Sequence, residues 1–186
     1  MLHTANEINF LEYSEEQKRE RVAHLLSREL ACALDLNDHL KLAVNALDGR
    51  AHSNISNLLR SLLGQLMTHE LLLIQRLEIL APGSGNVHDH SQGHQKFWVL
   101  YPEENRDCRA HLEALVAGYA GFMRSTSEIA TTVKRFADVD SLQLLKDCEA
   151  VGNRGLWFLE IYLEGLAVGM DSSRLPRCPE SIGAAH

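Results

Sequence analysis

Residues Leu26 to Gly49 read LSRELACALDLNDHLKLAVNALDG, and the rest of the chain can be read outward from them. Apolar residues recur at Leu26, Leu30, Ala33, Leu40, Val44 and Leu47. Steps of three, four and seven place them on one side of an α-helix. Such a stripe is stable only against partners, so the chain must supply further helices of similar length. It supplies three.

Before that stretch, Ser14 followed by Glu15, Glu16 and Gln17 has the form of an N-cap with acids in the first turn. A helix can start there and run through Arg21, or the segment can stand as a separate arm. Residues 1–25 are accordingly read as a leader. Gly49 suits the C-terminal end of the first long helix. A polar segment follows, in which Asn54 or Ser56 can cap the second helix. That helix runs to about Leu80 with Leu59, Leu62, Leu63, Leu66, Leu73, Leu77 and Leu80 on its apolar side. Ala81-Pro82-Gly83-Ser84-Gly85 stops it. The third helix spans about Asp107 to Phe136, with Leu112, Leu115, Tyr119, Phe122, Ile129 and Val133 inward. After Asp138-Val139-Asp140, where Ser141 can also cap, the fourth runs to about Val168 through Leu145, Cys148, Leu156, Leu159, Tyr162, Leu163 and Leu166.

The connection from Asn86 to Arg106 is long for a compact bundle. An up-down-down-up bundle requires one such crossover. Phe97, Trp98, Val99, Leu100 and Tyr101 are expected to be buried there, in a short helix crossing the bundle. No strands and no internal repeats are expected. The sequence therefore predicts an all-α four-helix bundle over 26–168, with the long crossover between its second and third helices. Residues 169–186 are read as a loosely ordered tail.

The chain has 186 residues, 45% of them apolar, enough for one domain with a sizeable core. Its formal charge is −7, from 18 basic and 25 acidic side chains. A duplex-binding surface shows as a basic stripe or tail. Here no lysine or arginine precedes Lys18, and the tail has only Arg174 and Arg177, so tight DNA binding is not expected. Cys32, Cys108, Cys148 and Cys178 make no C-x-x-C motif, and the first three read as small core residues. The N-terminus lacks a signal-peptide pattern, and no stretch approaches ~20 uninterrupted apolar residues. The expectation is a cytoplasmic protein with no membrane span.

Tyr101-Pro102, then His111-Leu112-Glu113-Ala114-Leu115-Val116-Ala117-Gly118-Tyr119-Ala120, and later Leu156-Trp157-Phe158-Leu159-Glu160, together resemble motifs of the Dps family, the shell-forming mini-ferritins. The resemblance covers roughly Leu26 to Glu164. It implies the ferritin-like form of this four-helix bundle and a closed homo-oligomer, most simply a dodecamer, that sequesters iron or protects against stress. Co-assembly with an active paralogue is a further expectation.

The resemblance also places the family's inter-subunit ferroxidase ligands. The family's first helix ends K-x-A-H-W-N-x-x-G, and Lys41-Leu42-Ala43-Val44-Asn45-Ala46-Leu47-Asp48-Gly49 aligns with it. The histidine is Val44. In the same register the second-helix ligands fall on Ser56, Arg60, Leu71 and Gln75, followed by a retained Arg76. Valine and leucine offer no lone pair, and an arginine repels Fe²⁺. These five degenerate positions are therefore not expected to oxidise iron. A slip that recruits His52 or His69 needs a gap in the second helix and finds no matching carboxylates. If the register holds, the five side chains meet at a subunit boundary, with Arg60 paired to a carboxylate across it.

Inside the bundle, ferritins use Glu-x-x-His pairs. No glutamate here has a histidine three residues on, and no substitute constellation is expected. His69-Glu70 lacks the second histidine of H-E-x-x-H, because position 73 is leucine. His69 reads as a buried or interface histidine with an ordinary hydrogen bond, and His111 as a surface residue. Asp35, Asp38 and His39 are assigned to solvent or a subunit contact. One metal-like cluster stands out. His88, His90 and His94, with Asp89, can wrap Zn²⁺ or another late first-row ion. Dinucleotide, P-loop and nucleophile-elbow patterns are absent. Three functions follow in order: a Dps-like shell without its own ferroxidase centre, a helical scaffold that kept the fold, and an oxidase with a relocated metal site.

Overall fold

The computed structural model describes residues 13–47, 53–82, 101 and 107–168. Within them lie four long helices: α1 (Glu15–Ala46), α2 (Ser53–Leu80), α3 (Cys108–Arg135) and α4 (Val139–Ala167). The crossover residues Phe97–Leu100, the cluster at His88, His90 and His94, His52, Gly49, Cys178 and the tail lie outside the described residues. No described helix is long and apolar enough to cross a membrane.

Two hydrophobic clusters give the direction of each helix. One joins Leu36 and Leu40 of α1 and its C-cap Leu47 to Ile55 and Leu59 of α2, Leu112 and Leu115 of α3, and Leu159 and Tyr162 of α4. The other joins Val22 and Leu26 to Leu73 and Leu77, Ile129 and Val133, and Leu145. The C-terminal half of α1 thus shares an end with the N-terminal halves of α2 and α3 and the C-terminal half of α4. That is the up-down-down-up arrangement, in which the C-terminal end of α2 and the N-terminal end of α3 lie at opposite ends of the bundle.

The helix starts are set by local chemistry. Ser14 and Gln17 form a reciprocal capping box, with Gln17 N–H donating to Ser14 Oγ at 3.2 Å and Ser14 N–H donating to Gln17 Oε1 at 2.9 Å. From that cap α1 runs without a break, and Val22 and Ala23 are core residues. The leader expected over residues 1–25 is therefore shorter, because residues 15–25 already belong to the bundle's first helix. At the other turn, the cap of α4 is Asp138 rather than Ser141; its carboxylate accepts from Ser141 N–H at 3.1 Å. Arg76 reaches across from α2 and clamps this turn, donating to Asp138 (2.7 Å), Ser141 Oγ (2.9 Å) and Asp140 (3.2 Å). Close packing of α4 on α2 needs Gly155, where a Cβ would stand 2.7 Å from Leu62 Cδ2.

His111 is not a surface residue. It is fully buried, and its Nδ1 lies 2.8 Å from the Tyr101 hydroxyl. Tyr101 in turn stacks on His39 with ring centroids 4.7 Å apart. Tyr101 thus contacts both His111 of α3 and His39 of α1.

Candidate functional site

Between the two hydrophobic clusters lies a layer to which every helix contributes a polar or ligating side chain. Each sits in a core-facing register. Glu29 falls three residues after Leu26 and four before Ala33; His69 falls three after Leu66 and four before Leu73. Thr126 falls four after Phe122 and three before Ile129; Cys148 falls three after Leu145. Helical periodicity therefore points all four at the bundle axis. All four are buried, and Glu29 has 0% of its surface exposed.

Few of these groups satisfy one another. Thr126 Oγ1 lies 2.6 Å from Glu29 Oε1 and 3.0 Å from the Phe122 carbonyl oxygen. A hydroxyl has one proton to donate, so it cannot serve both acceptors fully. Glu29 Oε2 has no hydrogen-bond partner, and neither has His69 Nε2. His69 Nε2 stands 3.8 Å from Glu29 Oε1, beyond hydrogen-bond reach. The ordinary hydrogen bond expected of His69 is thus absent at Nε2, although its burial is as expected. One ligand atom from each of Glu29, His69 and Cys148 lies within 4.8 Å of the others. This overturns the expectation that the bundle interior holds no substitute constellation. Burial, and after it the nearby Glu29, push the Cys148 thiol well above the ordinary thiol range.

A second buried polar pair joins the same two helices, α1 and α2. Asn37 Nδ2 donates to Glu70 Oε1 at 2.7 Å, while Asn37 Oδ1 is unpartnered. Desolvation holds the Glu70 carboxyl above its ordinary pKa of 4.5, against the opposing hydrogen bond from Asn37. Unpartnered buried polar atoms are uncommon and costly in folded proteins. Here two of them, Glu29 Oε2 and His69 Nε2, occur in one layer.

A cavity of about 410 Å³ opens between α2 and α4 and reaches this layer. His69 and Cys148 lie in its wall with Tyr119 and Phe122, and Gln65, Gln143 and Asp147 also line it. The Met123 side chain occupies the space a side chain at Gly152 would need, beside the same cavity. Phe122 presses edge-on against His69 with centroids 6.3 Å apart.

The five positions singled out by register are elsewhere, and within one chain they do not converge. Ser56 is buried with its hydroxyl unpartnered. Val44 is half-buried against the core. Arg60, Leu71 and Gln75 face outward on α2. As a donor set these residues do not fit iron, since Val44 and Leu71 supply no ligand atom and Arg60 a fixed positive charge. Asp38 is exposed and pairs with Lys41 at 3.1 Å.

The chain matches no protein-family model and no curated protein. Its fold matches solved structures. A mutant of Mycobacterium smegmatis Dps1 superposes with a TM-score of 0.68 at 21% identity, over 78% of this chain and 97% of that one. The tetragonal form of Mycobacterium smegmatis Dps gives 0.66 at 21%, over 80% and 90%. An N-terminal deletion mutant of Mycobacterium smegmatis Dps gives 0.66 at 22%, over 79% and 97%. The chain is a four-helix bundle of the Dps fold.

Proposed function

We propose that this chain is a Dps-like, ferritin-superfamily subunit that closes into a homo-oligomeric shell, a dodecamer by analogy with the fold, and sequesters metal without an inter-subunit ferroxidase centre. The observation that carries this reading is the outer face of α2. Met67 (52% exposed), Leu71 (54%) and Ile74 form an apolar stripe at steps of four and three. Around Gly64 on the same face there is open space. A soluble bundle has no use for such a stripe unless something covers it.

The stripe fits a second copy of itself. Arg60 and Glu78, Gly64 and Ile74, and Met67 and Leu71 are each symmetric about position 69. Two α2 helices crossing antiparallel on a two-fold axis would set Met67 against Leu71, Ile74 in the notch at Gly64, and Arg60 against Glu78. An isologous contact needs that self-complementarity. Leu71 and Arg60 are two of the degenerate ferroxidase positions, so side chains that would bind iron in this family would serve here as subunit contact. Glu78 is the carboxylate that Arg60 would meet. Iron, in this reading, is cargo.

Two measurements on the purified protein test the reading together. Light scattering is expected to give a closed assembly; a monomer at micromolar concentration would contradict it. Fe²⁺ oxidation by peroxide is expected to run at the buffer rate, and Val44→His alone should not raise it, because one imidazole without carboxylates cannot hold a di-iron pair. Fast, saturable oxidation by the unmodified protein would show that the register is wrong.

A further inference from the structure

We propose that Glu29, His69 and Cys148 form a mononuclear site for a divalent transition-metal ion of the Zn²⁺ type, set at the centre of each bundle with its remaining coordination position facing the α2–α4 cavity. The inference does not depend on assembly, since all three residues belong to one chain.

The first support is geometric. Carboxylate oxygen, imidazole nitrogen and thiolate sulfur bind Zn²⁺ at about 2.0–2.3 Å, which puts neighbouring donors of a tetrahedral ion roughly 3.2–3.8 Å apart. Glu29 Oε1 and His69 Nε2 are 3.8 Å apart, and the three ligand atoms fall within 4.8 Å of one another. Small side-chain adjustments close the site. The second support is the state of the donors. Glu29 Oε2 and His69 Nε2 are buried and unpartnered, and a metal ion supplies a partner to both residues at once. The third is charge. A dication bound by one carboxylate and one thiolate is neutral overall, so the ion would remove the cost of an isolated buried charge. Thr126, hydrogen-bonded to Glu29 Oε1, would act as a positioning residue that fixes the carboxylate.

The donor set selects the ion. Ca²⁺ and Mg²⁺ favour six or more oxygen ligands, whereas this trio supplies one carboxylate beside a nitrogen and a sulfur. Mixed sulfur, nitrogen and oxygen donors suit Zn²⁺, Co²⁺ and their neighbours. Three protein ligands leave a fourth position, and the cavity wall containing His69 and Cys148 supplies both the way in and the space for a water or small ligand there.

Co²⁺ is the probe. The unmodified full chain is expected to take up one Co²⁺ per chain, with a near-ultraviolet thiolate-to-cobalt charge-transfer band that excess Zn²⁺ abolishes. Cys148→Ser should remove the band, while Cys32→Ser and Cys108→Ser keep it. Glu29→Gln and His69→Gln should weaken Co²⁺ binding by more than about 100-fold, beyond what loss of a supporting residue costs. A chain carrying His88→Ala, His90→Ala and His94→Ala should keep the band, which separates this site from the histidine-rich segment. Circular dichroism checks each variant's helicity, and Cys148→Ala stands in should Cys148→Ser not fold. No band in the unmodified protein, a band that survives both Cys148 substitutions, or one lost with the three histidines would each overturn the proposal.

Discussion

The outer face of α2 and the middle layer of the bundle have opposite characters, and neither is the ordinary one for its place. Outside, where water is available and polar residues cost nothing, stand Met67, Leu71 and Ile74. Inside, where apolar packing is the rule, stand Glu29, His69, Thr126 and Cys148, with two of their polar atoms unpartnered. Each anomaly has a physical remedy of a different kind. An exposed apolar stripe is relieved by another protein surface; an orphaned carboxylate oxygen and imidazole nitrogen are relieved by a cation. The difference teaches that assembly and metal binding need not share a location in this fold. In the family that the chain resembles they meet at the subunit boundary; here the positions aligned with that boundary's ligands carry no suitable ligand set, and the bundle centre carries three donors.

The largest expected effect falls on the outer face. Leu71→Asp puts a charge into the proposed α2–α2 contact and spares the chain's own core, since Leu71 is 54% exposed and belongs to neither core cluster. Native mass should drop from that of the closed assembly to small fragments that lack this contact. An intact assembly would mean the stripe is covered by something else. A smaller effect is expected inside. Thr126→Val keeps the side-chain volume and removes the hydroxyl that holds Glu29, so Co²⁺ affinity should fall by about 10-fold to 100-fold while the assembly stays whole. If affinity is unchanged, Thr126 has no positioning role.

The smallest effect concerns the neighbouring Glu70. Its carboxyl is held above the ordinary value of 4.5 by desolvation. For an acid this means that the ionised form costs stability in the fold. That cost is fully present above the folded-state pKa and disappears as pH falls through it towards 4.5, where the unfolded chain also takes up a proton. Glu70→Gln retains an oxygen for the Asn37 donor and removes the cost. The variant should therefore melt slightly higher than the unmodified protein at pH 7, and the gap should close on acidification. A gap that widens towards low pH would have the wrong sign.

Most of the bundle was legible in periodicity. The stripes through Leu26 and Leu40, Leu59 and Leu77, Leu112 and Val133, and Leu145 and Tyr162 are the ones that pack. The stop signal at Pro82 follows the end of α2 at Leu80, and the cap at Ser14 starts α1. Errors came where a partner from elsewhere decides the outcome. His111 looked like a surface residue because nothing near it in sequence covers it, and Tyr101 does so from the crossover. Asp138 caps α4 with Arg76 of α2 held against it, a contact across 62 residues. The central layer was missed for the same reason, with Thr126 and Glu29 lying 97 residues apart. A signal was nonetheless present. A search for Glu-x-x-His pairs tests ligands one turn apart on one helix, whereas this layer takes one residue from each of four. Asking which polar side chains interrupt a core stripe near the middle of every helix would have found Glu29, His69, Thr126 and Cys148 together.

The claim that metal binding belongs to the interior of one chain and not to the subunit boundary is tested most directly by titrating Co²⁺ into the Leu71→Asp protein after its assembly has been broken. The account predicts one Co²⁺ per chain, with the thiolate charge-transfer band as strong as in the assembled protein, because Glu29, His69 and Cys148 stay within 4.8 Å of one another whether or not α2 meets a partner. A band that disappears with the assembly, and returns only when subunits re-associate, would contradict it and place the metal between chains.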